Sequence, residues 1–127
     1  MSNRPIKFRA WSQVSSQMTK PFELEWLKFN TPVPDDFEKR MGFADDLIFQ
    51  QFTGLTDKNG KEIYEGDIVK ILGYNNKNWE VRWQSSFSGF NLQTKQNNWY
   101  GIGEANGRME VIGNIYENKE LLNNESL

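Results

Sequence analysis

The chain has 127 residues, with fifteen basic against seventeen acidic side chains and a formal net charge of −2 at pH 7. This length suits one domain able to bury a core without staples, and the charge gives no global pull toward phosphate backbones. With no cysteine and no histidine, disulfide frameworks, thiolate metal sites, the usual zinc ligand and every Ser-His or Cys-His nucleophile are excluded.

Ile6-Lys7-Phe8-Arg9-Ala10-Trp11 opens the chain with strict alternation, which predicts a strand with Ile6, Phe8 and Ala10 on one buried face. Ser12 to Met18 reads as a turn leading into a second strand, and the shared parity of Phe22, Leu24 and Trp26 suggests a short strand or extended arm. Thr31-Pro32-Val33-Pro34 forces extended backbone, because proline and the residue before it both avoid helix. Asp35-Asp36-Phe37-Glu38-Lys39-Arg40-Met41-Gly42 places acids first, bases next and glycine last. That order predicts a short helix near 35–41 with dipole-complementary charges and a glycine stop.

Gln51 to Ile71, QFTGLTDKNGKEIYEGDIVKI, packs two turn signals between β-type runs. Asn59-Gly60 is a strong hairpin signal, because glycine takes positive φ without steric cost. Glu65-Gly66-Asp67 then turns the chain into Ile68-Val69-Lys70-Ile71. Trp79-Glu80-Val81-Arg82-Trp83 alternates, Ser85 to Gly89 bends, and Phe90 to Thr94 follows as a further strand. Gln96-Asn97-Asn98 and Gly101-Ile102-Gly103 read as loops around Trp99-Tyr100. Arg108 to Tyr116 is the last strand, with Gly113 a bulge or bend, and Glu117 to Leu122 suits a short terminal helix. Strands every ten residues or so, joined by tight turns, predict a mainly β protein: an antiparallel meander folded as an open, SH3-like barrel. The whole chain is read as one domain, with 1–46 an N-terminal strand and irregular α/β arm and 47–122 the barrel core.

Three of these segments carry a resemblance. Ile6 to Trp11, Gln51 to Val69, and Val111-Ile112-Gly113-Asn114-Ile115-Tyr116-Glu117-Asn118 together resemble the YopX family, in that order along the chain. Residues 12–46 and 85–107 show no pattern of that family. The resemblance implies a β-rich meander in an open SH3-like barrel with α/β elaboration, and a protein of phages and prophages. It brings no established activity and no catalytic residues.

Several constellations invite chemistry. Glu62, Glu65 and Asp67 are the densest carboxylate group and suggest a hard cation or an acid–base pair. Glu65 and Asp67 flank a turn glycine, however, where an aspartate side chain commonly accepts backbone N–H groups. Asp57-Lys58-Asn59-Gly60 begins like a calcium loop, but its glycine falls two positions early and position twelve is Ile68. Gly101-Ile102-Gly103 with Gly107 lacks the strand–glycine–helix setting of a phosphate cradle. No metal site, catalytic residue or cofactor is therefore expected.

Aromatics are the positive signal. Five Trp, nine Phe and four Tyr stand in a chain only 37% hydrophobic, so few, large rings must fill the core and some are spare for an interface. Phe87, Phe90, Trp99 and Tyr100, near Lys95 and Arg82, are candidate partner-binding residues, and stacking platforms beside cations also hold single-stranded nucleic acid. Asp35, Asp36, Asp45 and Asp46 form an acidic patch, Asp35 and Asp36 being the candidates to meet a basic partner. The expected function is a non-enzymatic phage or prophage accessory protein that binds another protein or its own copy. The alternatives are a single-stranded nucleic-acid binder and, last, a metal-dependent carboxylate enzyme. No apolar run is long enough to span a membrane and no apolar signal core follows Met1-Ser2-Asn3-Arg4-Pro5, so the expected place is the bacterial host cytoplasm.

Overall fold

A computed structural model describes residues 6–23, 47–74 and 77–123. The chain is mainly β, built from antiparallel sheets, and it divides into two compact units at Phe52/Thr53. The helix expected near 35–41, the extended Thr31–Pro34 stretch and the Leu24–Trp26 part of the arm lie outside the described residues.

In the first unit, β1 (Lys7–Ser12) pairs on one side with β2 (Gln17–Met18) and β3 (Phe22–Glu23). On its other side it pairs with the first half of β4 (Leu47–Thr56), from Phe8 opposite Gln51 to Ser12 opposite Leu47. The single buried face expected for this strand does not hold. Ala10, Trp11 and Ser12 are buried in succession while Ile6 is exposed. β1 is central in its sheet, so side chains of the neighbouring strands flank it on both faces.

In the second unit, the end of β4 neighbours β5 (Glu62–Tyr64), and a five-stranded sheet follows in the order β10-β6-β7-β8-β9. Its strands are β6 (Asp67–Ile71), β7 (Trp79–Gln84), β8 (Gly89–Gln93), β9 (Trp99–Gly101) and β10 (Met109–Asn114). This sheet curls as a half-barrel. Register places Val69 opposite Trp79, Val81 opposite Leu92 and Leu92 opposite Tyr100, so these side chains share one face. That face, with Ile71 and Met109, packs with Ile63 of the β4–β5 hairpin and Ala105 of a one-turn helix, α1 (Ile102–Ala105), to make the core. Each large side chain buried there stabilises the fold by about 1.5–3 kcal/mol.

The Gln51–Ile71 segment folds as its turns dictate, into β4, β5 and β6 with Gly60 and Gly66 at positive φ. The bulge expected at Gly113 is present: β10 pairs Val111 with Val69 but Gly113 with Ile68, so Ile112 is the extra residue. A 3₁₀ turn at Lys119–Leu122 stands where the terminal helix was expected. The loop reading holds at Gln96–Asn98, which turns the chain from β8 into β9, and is corrected at Gly101–Gly103. Trp99–Gly101 is a strand and Ile102–Ala105 a helical turn, because pairing with β8 and the burial of Ala105 override the glycine-rich local sequence.

Candidate functional site

The two turns of the Gln51–Ile71 segment fasten the second unit. Asp57 accepts the N–H groups of Asn59 (2.8 Å) and Lys61 (2.9 Å) on Oδ1 and that of Val111 (3.0 Å) on Oδ2. Lys58 donates its N–H to the Met109 carbonyl at 2.9 Å. Together these bonds clip the β4–β5 turn onto the outer edge of β10. The Asp57 side chain lies close to the surface but is covered by the turn it organises, with 6% of the residue exposed. Burial is the largest single influence and raises its pKa, yet the N–H donors of Val111, Lys61 and Asn59 and the Lys61 charge outweigh it and hold the carboxyl below its ordinary 3.8.

The second turn works the same way. Asp67 Oδ2 accepts the Tyr64 N–H at 2.8 Å, Gly66 donates its N–H to the Val81 carbonyl at 2.8 Å, and the Gly66 carbonyl accepts from Ile115 at 2.9 Å. The carboxylate density of this segment is thus explained by turn geometry, with Glu62 Oε1 accepting from the Tyr64 hydroxyl at 3.0 Å. Among the described residues, no group of three or more acidic side chains is arranged to hold a metal ion.

Of the aromatic residues singled out in the sequence, Phe90, Trp99 and Tyr100 do not form one surface. Phe87 ends a 3₁₀ turn (Ser85–Phe87), and only its backbone is described. Phe90 is the second residue of β8 and meets Trp83 edge-on at 5.1 Å between ring centroids. Trp99 and Tyr100 lie at the other end of β8 and point to opposite faces. Tyr100 shares the core face with Leu92 and Val81, whereas Trp99 stands with Gln93 and Glu80 on the other. Tyr100 is tied inward: its ring lies 6.0 Å from Trp79 and 5.0 Å from Tyr74, and its hydroxyl accepts from Arg108 Nη2 at 2.8 Å. Trp99 is 65% exposed, Trp83 46% and Trp79 only 1%. Asp35, Asp36, Asp45 and Asp46 lie outside the described residues.

Trp99 instead belongs to a group that sequence reasoning missed. A cleft of about 440 Å³ opens where the β6–β7 connection meets the β8–β9 turn, lined by Tyr74, Lys77, Trp79, Asn97, Asn98 and Trp99. At this end of the sheet, residues of both faces reach it. The β8–β9 turn is set by Thr94, whose N–H donates to the Asn98 carbonyl (2.8 Å) and whose carbonyl accepts from Asn97 (3.1 Å). Asn97 takes φ 69° there. The amide-rich run Gln96-Asn97-Asn98 was visible in the sequence, but Tyr74 and Lys77 come from a connection with no periodic signal.

Beyond Trp99, the same face carries a polar row. Arg82 Nη1 donates to Gln93 Oε1 at 2.7 Å, and Arg82 Nε lies 3.8 Å from Glu80 Oε2. Burial raises the Glu80 pKa above its ordinary 4.5, Arg82 opposes that shift and the Glu65 charge adds to it.

The family model described as YopX protein matches residues 7–123. The chain belongs to the YopX family. Among solved structures, it is similar to the crystal structure of protein EF1440 from Enterococcus faecalis. That match has 25% identity and a TM-score of 0.58, and covers 92% of this chain and 97% of the other. A search of the curated proteins finds no significant match. The family assignment accords with the Gln51–Val69 and Val111–Asn118 segments, which form the two clipped turns and the bulged edge strand of this YopX-family chain. No helix among the described residues is long and apolar enough to cross a membrane.

Proposed function

We propose that this YopX-family chain is a non-enzymatic accessory protein of a phage or prophage that works in the bacterial cytoplasm by binding another protein, through the β9 edge of its second unit. The observation that carries the reading is the contrast between the two edges of the sheet. The β10 edge is closed by the Asp57–Lys58 clip, whereas β9 has no strand beyond it among the described residues and displays the exposed Trp99. A sheet edge beside an exposed tryptophan fits an added strand whose side chains cover the ring. Burying a tryptophan at the centre of an interface contributes about 2–4 kcal/mol, and each edge hydrogen bond about 1 kcal/mol.

Affinity capture from lysogenic or infected host cells, with the native chain beside Trp99→Lys, tests this. The native chain is expected to retain a specific protein that Trp99→Lys releases, with unchanged thermal unfolding of the variant. Equal capture by both chains would refute the β9 edge as the contact.

The cleft favours a second reading, the binding of single-stranded nucleic acid. Tyr74 and Trp99 offer rings, Asn97 and Asn98 offer amides and Lys77 a cation at one place. Titration of labelled single-stranded DNA and RNA at rising salt decides it; no binding at low salt removes it.

A further inference from the structure

We infer that the occupant of the β9 edge is a second copy of this chain, paired antiparallel about a two-fold axis at Trp99. The inference rests on the protein-binding reading above and names its partner. Its basis is the phase of the hydrogen bonds between β8 and β9. The Thr94 N–H to Asn98 carbonyl bond (2.8 Å) sets that phase, and the register then runs Gln93 opposite Trp99 and Leu92 opposite Tyr100. Bonded and non-bonded pairs alternate in an antiparallel ladder. Tyr100 therefore exchanges bonds with Leu92, and the N–H and carbonyl of Trp99 both point away from β8. No partner for either group is found among the described residues.

An edge that offers N–H and C=O from one residue is complementary to itself. Turned by a two-fold axis through Trp99, each copy's N–H meets the other's carbonyl, the isologous arrangement of closed dimers. Nothing in the local sequence opposes it. Gln96 to Gly103 contains no charge and no proline, so the edge lacks two of the commonest devices that keep edges apart. In such a pairing Asn98 faces the second copy's Tyr100 and Asn97 its Gly101, all uncharged. The two Trp99 side chains stand directly opposite, where aromatic pairs attract. The opposite edge cannot do the same, because Met109 and Val111 already bond to Lys58 and Asp57.

The absence of native cysteine allows a direct test on the full chain. A bonded antiparallel pair holds its Cα atoms about 5.5 Å apart, within the span of a disulfide. Under mild oxidation Trp99→Cys is expected to cross-link into dimers at least about tenfold faster than Asn59→Cys, a thiol placed in the exposed β4–β5 turn. By sedimentation equilibrium the native chain is expected to dimerise with concentration. Trp99→Lys, which sets like charges face to face, is expected to remain monomeric and to melt at the same temperature as the native chain at concentrations where both are monomers. A native dimer that Trp99→Lys leaves intact, or equal cross-linking of the two cysteine variants, overturns the pairing. A strictly monomeric native chain whose capture of a host or phage protein still depends on Trp99 overturns the self-pairing and leaves the protein-binding reading standing. A monomeric chain whose capture ignores Trp99 overturns both.

Discussion

Replacing Asp57 tests whether one side chain closes the second unit. Its carboxylate accepts three backbone N–H groups, from Asn59, Lys61 and Val111, at 2.8, 2.9 and 3.0 Å. Asn59 and Lys61 are exposed, so water replaces part of what they lose, while Val111 is half-buried on an edge strand. Removing a charged acceptor from a partly buried donor costs about 1.5–3 kcal/mol and from a wet one less. Asp57→Ala is therefore expected to cost about 3 kcal/mol, a large share of the roughly 5–15 kcal/mol that stabilises a typical domain. Asp57→Asn keeps one acceptor but turns an N–H₂ toward a donor, and about 1–2 kcal/mol is expected. Urea unfolding followed by tryptophan fluorescence measures both. The pH dependence gives an independent check. Because the folded pKa lies below 3.8, the carboxylate's contribution is complete above that value and is lost as pH falls from there through the folded pKa. Asp57→Asn should flatten this part of the acid limb. A cost below about 1 kcal/mol for Asp57→Ala, or an unchanged acid limb in Asp57→Asn, would refute the clip.

Glu80 should show the opposite sign. Its folded pKa is raised above 4.5, so its contribution is complete below 4.5 and is lost as pH rises through the folded value. Glu80→Gln should remove that loss and leave the protein at least as stable at pH 7, within about 1 kcal/mol, since the Arg82 ion pair given up is half-exposed; denaturant melts between pH 4 and 7 read it. Gly113→Ala should destabilise by about 1–3 kcal/mol, because a Cβ there would lie 2.6 Å from Asn118 Oδ1 and 2.9 Å from Asn118 Cβ. Combining it with Asn118→Gly should cost less than the sum of the two single changes, and strictly additive values would show that the clash is not the cause.

The meander was legible because its turns are local. Asp57 to Gly60 and Glu65 to Asp67 carry the residues their backbone needs, and the alternation of Trp79 to Trp83 and of Phe90 to Thr94 states a strand by itself. Gly113 was readable as a bulge for the same reason. Local propensity failed where pairing decided. Trp99–Gly101 sits among asparagines and glycines yet forms a strand, because β8 supplies its hydrogen bonds. The grouping of Phe90, Trp99 and Tyr100 failed for a different reason: nearness in sequence says nothing about which end or face of a strand a side chain occupies.

By itself, then, the sequence determined the β class, the turn positions, the bulge and the family, all features written in neighbouring residues or in long matched segments. It also removed histidine and cysteine chemistry outright. Only the tertiary structure decided that Asp57 spends its carboxylate on a strand 54 positions away, that Tyr100 is bound inward while Trp99 is left outward, and that, among the described residues, one sheet edge is closed and the other open. Those outcomes depend on register and hydrogen-bond phase between distant segments. A period of two fixes the alternation of faces along a strand, but not which partner lies beside it or which edge is left over.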